Sequence, residues 1–186
     1  ARLDALMRRI KQQIENTPSM ADFKDQLKLD ITTEGLRIQI VDRESRPMFD
    51  LGSAHLRGYT KEILHQLAQT ISGVANHISV TGHTDATAFH GGRPNYSNWE
   101  LSADRANAAR RELKAGGMDP ERFGRVVGLA SSVLYDRKNP AAPVNRRISI
   151  IVLNHATERA IGLEIQKGDA GVEHELLRAL DTPPAQ

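Results

Sequence analysis

One arginine and one aspartate of this chain stand where their charges demand partners. Plotted at about 100° per residue, Leu101, Ala106, Ala108, Ala109 and Leu113 of the segment SNWELSADRANAARRELKAGG share one apolar arc, and Asn98 and Arg105 fall inside it. Upstream, the run VTGHTD stops at Asp85. A guanidinium facing inward from a helix needs an anionic partner, because an unpaired buried charge is costly. Asp85 is the natural candidate. Two chemistries are open to such a pair. It can close on itself and merely pin strand to helix, or it can sit at a pocket mouth and grip a ligand that carries both charges. Metal chemistry has weaker support. His83, Asp85 and His90 offer only an H-x-D spacing plus a loop residue, and neither HExxH nor GxSxG occurs. His83 is expected instead to hold the strand end by hydrogen bonding.

The elements that would position these residues can be read from periodicity. Leu3, Leu6, Met7, Ile10 and Ile14 lie at helical spacing in residues 1–16, and Thr17-Pro18 ends that helix. It is expected either to pack on the domain core or to serve as a linker or dimer contact. LKLDITTEGLRIQIVD alternates apolar and polar residues on both sides of Glu34-Gly35, which predicts a β-hairpin. After a loop containing Met48, Phe49 and Asp50, apolar residues from Ala54 to Ile71 predict a second helix. A short strand follows from Ile78 to Gly82. Ser97 and Glu100 then form a capping-box spacing for the helix that carries Arg105, and Gly116-Gly117 stops it. Strands are expected at Arg125–Ala130 and Arg147–Leu153.

From the second hairpin strand onward the order is β-α-β-α-β-β. That order predicts an α+β sandwich, a mixed sheet with both helices on one face, extended by the N-terminal helix and the hairpin. The expected organisation is a helix and linker over 1–27, one domain over 28–154, and a mobile tail over 155–186 with a short helix near Glu173 to Leu180.

Composition narrows the function classes. With 25 basic against 23 acidic residues the net charge is only +2, so no strong nucleic-acid field follows. Aromatics make up 4%, too few for a base-stacking platform. The chain has no cysteine, which excludes disulfides, thiolate metal sites and a cysteine nucleophile. No apolar stretch approaches the roughly 18–20 residues of a membrane span. A start at Ala1 is compatible with a fragment or with simple methionine removal.

Three separated blocks resemble the OmpA-like peptidoglycan-binding domain: T81-G82-H83-T84-D85, then N98-x-x-L101-S102-x-x-R105-A106, then N145-R146-R147 ahead of an apolar strand. MFDLGSAHL at Met48 to Leu56 and PVNRRISIIVL at Pro143 to Leu153 are similar to the periplasmic part of the B subunits of the proton-driven flagellar stator. The resemblance implies a non-catalytic module, without cofactor, that holds the cell wall. It implies that Asp85 and Arg105 contact the diaminopimelate of the peptidoglycan stem peptide, and it carries Asn98 and Arg146 over as further contacts. It also implies a periplasmic domain of an inner-membrane protein, a homodimer and a stator A subunit as partner, with the membrane segment lying outside this chain. Peptidoglycan-associated lipoproteins, porin-type anchors and, further off, wall-active hydrolases are the alternatives.

Asn145 is either a turn residue or a ligand group, and one of Arg146 and Arg147 is expected to face solvent. The stretch 86–97 is longer than the family loop. It would bring Phe89, Arg93 and Tyr96 to the pocket mouth, to shape glycan contacts, to cover the site, or simply to lie in solvent. A regulatory switch, if present, is expected within residues 1–50.

Overall fold

In the computed structural model, residues 2–163 are described. The order is α1 (Arg2–Asn16), α2 (Pro18–Ala21), β1 (Leu27–Ile31), β2 (Gly35–Val41), α3 (Gly58–Ile71), β3 (Ile78–His83), α4 (Asn98–Ala115), β4 (Phe123–Gly128), β5 (Arg147–Leu153) and α5 (His155–Ala160). The five strands form one sheet in the order β1-β2-β5-β3-β4. Only β3 and β4 run parallel; the other neighbours are antiparallel. The expected mixed sheet and element order are both present. The expected helix-and-linker, domain and tail divisions are not tested by this arrangement, and the short helix expected near Glu173 to Leu180 lies outside the described residues.

The core lies between this sheet and the helices. Leu36, Ile38 and Ile40 of β2, Ile148, Ile150 and Val152 of β5, and Ile78 and Val80 of β3 all join it, as the two-residue period of a strand requires. Ile63, Leu64, Leu67 and Ile71 of α3 and Ala106, Ala109 and Leu113 of α4 face the same cluster. Leu6, Ile10 and Ile14 of α1 complete it, and Gln13 hydrogen-bonds to Gln66 and Thr70 of α3. The N-terminal helix is therefore part of the core layer in this structure.

Two glycines set how closely α4 approaches the sheet. A Cβ on Gly82 would lie 2.0 Å from the Ser102 carbonyl oxygen, and one on Gly128 would lie 2.5 Å from the Ala103 nitrogen. Only glycine fits at either contact. The first turns of α4 thus rest directly on the ends of β3 and β4, and Arg105 follows one turn later.

Three boundaries differ from the sequence expectation. The second helix starts at Gly58 rather than Ala54, because Leu56 is buried and bridges Phe49, so residues 48–57 form a small loop of their own. The strand expected at 125–130 runs over 123–128, and Ala130 adopts φ 48 beyond its end. Residues 155–160 form a helix whose Glu158 is buried, accepting from the His77 backbone N–H at 2.6 Å. The first residues of the stretch expected as a tail thus form a short helix held to the His77 backbone ahead of β3. No described helix is long and apolar enough to cross a membrane.

Candidate functional site

Four charged side chains converge at one end of the sheet. Asp42 follows β2, and Arg146 precedes β5; the Asp42 N–H donates to the Arg146 carbonyl at 2.9 Å and prolongs the ladder between those strands. Asp85 lies two residues beyond β3. Arg105 projects from α4. That helix is started by the predicted capping box, with Ser97 accepting from the Trp99 N–H and Glu100 accepting from the Ser97 N–H.

Arg146 sits between the two carboxylates. Its Nε donates to Asp42 at 2.9 Å and its Nη1 to Asp85 at 2.7 Å. Each carboxylate spends its other oxygen on a backbone N–H: Asp42 accepts from Met48 and Asp85 from Thr87, both at 2.8 Å. Asp42 and Asp85 are buried and Arg146 is half-buried. Burial, the largest influence, pushes the Asp42 carboxyl above its ordinary range, against the Met48 N–H and Arg146. Burial also acts downward on Arg146, but the hydrogen bonds and charges of Asp42 and Asp85 outweigh it and raise its pKa.

Arg105 is held differently. It is 8% exposed, its Nε donates to the Ser53 carbonyl at 2.8 Å, and its guanidinium lies 4.8 Å from the centre of the Phe49 ring. Its two terminal nitrogens have no hydrogen bond or ion pair among the described residues. Neither is a fully buried orphan, so both keep access to solvent. Burial lowers its pKa first of all, offset in part by Asp42 and then by Asp85, while Arg146 lowers it further. A guanidinium desolvated on one face, fixed at Nε and open at the Nη edge is built to receive a planar carboxylate in a fork.

The structure brings Asp85 and Arg105 into one charged cluster but does not close them into an ion pair with each other. Asp85 pairs with Arg146 instead. Sequence reasoning missed Asp42, Phe49 and Ser53. The signal for Phe49 and Ser53 was the MFDLGSAHL block, which contains both; Asp42 had none. Asn98 donates to the Thr87 carbonyl at 2.8 Å and so braces the turn whose N–H holds Asp85.

Other expectations are corrected. His83 does not hold the strand end by hydrogen bonding: it is buried and its Nδ1 has no partner. Burial, with the nearby charges of Arg147 and Arg37, depresses its pKa to about 3, so it is neutral. Of the two arginines of the NRR block, Arg146 keeps part of its side chain in solvent while Arg147 is buried. Arg147 is buried on the opposite sheet face, donating to the Gln39 side chain and to the carbonyls of Asn145 and Val133, with Tyr135 nearby. Asn145 is the turn residue. It accepts from the Asp136 N–H and donates to the carbonyls of Asp136, Asn139 and Pro140. Among the described residues no group of three or more His, Asp or Glu could hold a metal ion.

The long loop folds on itself beside the site. The Phe89 and Tyr96 rings lie 5.0 Å apart, Arg93 stacks on Tyr96 at 4.1 Å, and the Tyr96 hydroxyl donates to Asp104 at 2.7 Å. Burial and the adjacent Asp104 push that phenol up to about 12. Phe89 also borders Gly52, next to the carbonyl that holds Arg105. A shallow groove of about 440 Å³ runs from Ala88 and Phe89 past Asn98 and Trp99 to Ser132.

The OmpA family profile matches residues 48–147, which contain Asp85, Arg105 and Arg146. Motility protein B of Escherichia coli K12 is 45% identical over 183 residues, covering 98% of this chain and 58% of that protein. The chain therefore spans less than two thirds of that curated relative. The fold is similar to the periplasmic domain of Helicobacter pylori MotB, with a TM-score of 0.62 at 20% identity over 88% of this chain and 94% of that one. It is also similar to the cell wall anchor of the T6SS from Pseudomonas aeruginosa, with a TM-score of 0.58 at 23% identity over 74% and 95% of the two chains.

Proposed function

Because this chain belongs to the OmpA family, we propose that it is a non-catalytic peptidoglycan-binding module that anchors a flagellar motor stator to the cell wall. The observation that carries the reading is the open Nη edge of Arg105 beside Asp85. The free end of a diaminopimelate side chain is a zwitterion. Its carboxylate fits the guanidinium fork, and its ammonium fits the carboxylate of Asp85, which retains lone pairs beyond those used by Thr87 and Arg146. The stator assignment is supported by the 45% identity to Motility protein B. On this reading the domain works in the periplasm as part of an inner-membrane protein. Its partners are the diaminopimelate-containing stem peptide, a second copy of the chain and the stator A subunit.

Incubation with purified diaminopimelate-type sacculi tests the proposal. The protein is expected to co-sediment with the sacculi while no soluble muropeptide is released. Fragment release would mark a hydrolase, and failure to co-sediment would remove the anchor reading.

A further inference from the structure

The two guanidiniums of the site are balanced by two carboxylates, and the second carboxylate is one that sequence patterning did not reveal. Asp42 is buried, and its two oxygens are held by the Met48 N–H at 2.8 Å and the Arg146 Nε at 2.9 Å. Arg146 therefore cannot present its Nε edge to a ligand. Asp42 acts electrostatically on Arg105 as well, more strongly than Asp85 does. Without Asp42 the cluster would hold two cations against one anion, with Arg146 drawing on Asp85 alone.

Resting on the peptidoglycan reading above, we propose that Asp42 is a specificity-determining residue: by neutralising Arg146 it makes the binding surface net neutral, so that the site selects a zwitterion over a dianion. Asp42 touches no ligand itself. Within this cluster it leaves Arg105 as the cation with uncommitted terminal nitrogens and Asp85 as the more exposed of the two carboxylates. A ligand end bearing one carboxylate and one ammonium is matched by that pair. A ligand end bearing only carboxylate is attracted by Arg105 and repelled by Asp85, with no surplus positive charge to compensate.

The test is competition for sacculus binding by two free compounds of the same chain length, meso-diaminopimelate and pimelate, which differ only in the amino groups. For the wild-type protein meso-diaminopimelate is expected to displace bound protein at far lower concentration than pimelate. In Asp42→Asn, where Oδ1 can still accept from Met48, the ratio of the two half-displacement concentrations is expected to move toward pimelate by about fivefold or more. The mirror variant Arg146→Gln makes the surface net negative. It is expected to shift preference in the opposite direction, toward the diamine cadaverine. The double variant Asp42→Asn, Arg146→Gln restores neutrality and should recover the wild-type ratio even if overall affinity falls.

A simple structural role for Asp42 would weaken both competitors in parallel. An unchanged ratio in Asp42→Asn, or in Arg146→Gln if the first variant does not fold, overturns the proposal. Failure of wild-type protein to pellet, or of meso-diaminopimelate to displace it, instead overturns the anchor reading itself and is read without any variant.

Discussion

Arg146 is committed at two of its nitrogens, to Asp42 and Asp85, whereas Arg105 is committed only at Nε. The two arginines should therefore report through different measurements. Arg146→Met leaves two buried carboxylates without their shared cation, and loss of one partner from a buried pair costs about 3–5 kcal/mol. Chemical denaturation should show a loss of that order. Arg105→Met keeps much of the side-chain volume and leaves the Asp42–Arg146–Asp85 bridge in place, so its stability should change by about 1 kcal/mol or less. A stability loss in Arg105→Met as large as that in Arg146→Met would place both arginines in one structural network. The Arg105 and Asp85 pair was legible because a charge on an apolar arc breaks a periodic pattern. Asp42 was not, since its partner lies 104 residues away and nothing local marks an aspartate at a strand end as buried.

At the scale of elements, the proposed clamp depends on α4 lying close against β3 and β4. Gly82 permits the contact with Ser102, whose hydroxyl also accepts from the Ala130 N–H, while the Ala130 carbonyl accepts from Thr84 next to Asp85. Gly82→Ala forces a Cβ into backbone oxygen and must push the helix away, at a cost of about 3 kcal/mol or more. Thermal melts and sacculus binding should both worsen in that variant; a folded Gly82→Ala protein with full stability would show that the helix contact is looser than described. Helix and strand order were legible from apolar periods and caps. The 48–57 loop was not, because Leu56 continues a helical pattern in sequence while its backbone pairs with Phe49 in an isolated antiparallel bridge and its side chain is buried. The burial of Arg147 was equally hidden: strand alternation predicts two faces but not that Tyr135 and the Val133 carbonyl cover the second one.

For the whole molecule, the buried neutral His83 ties stability to pH. Its folded pKa of about 3 lies below the ordinary 6.5, so between these values the unfolded chain takes up a proton that the folded chain does not. Stability therefore falls as pH drops through this window, by up to about 1.4 kcal/mol per pH unit. Asp42, with its raised pKa, works in the opposite sense, since the folded chain takes up its proton before the unfolded chain does. Melts of wild type and His83→Gln from about pH 7 to about pH 5 isolate the effect. The wild type should lose stability on acidification and the variant should lose less; parallel curves would show that His83 is protonated in the folded state.

Throughout this molecule, core, helix contacts and charge ladder converge on one proposition: that the Arg105 fork and the Asp85 carboxylate together receive a zwitterion. Nuclear magnetic resonance titration of the ¹⁵N-labelled protein with meso-diaminopimelate addresses it most directly. The largest shifts are predicted at the Arg105 side-chain Nε–H and at the amides of Ser53 and Thr87, and they should vanish in Arg105→Met. Shifts that survive in Arg105→Met, or that centre on the groove lined by Tyr135 and Val144, would contradict the clamp.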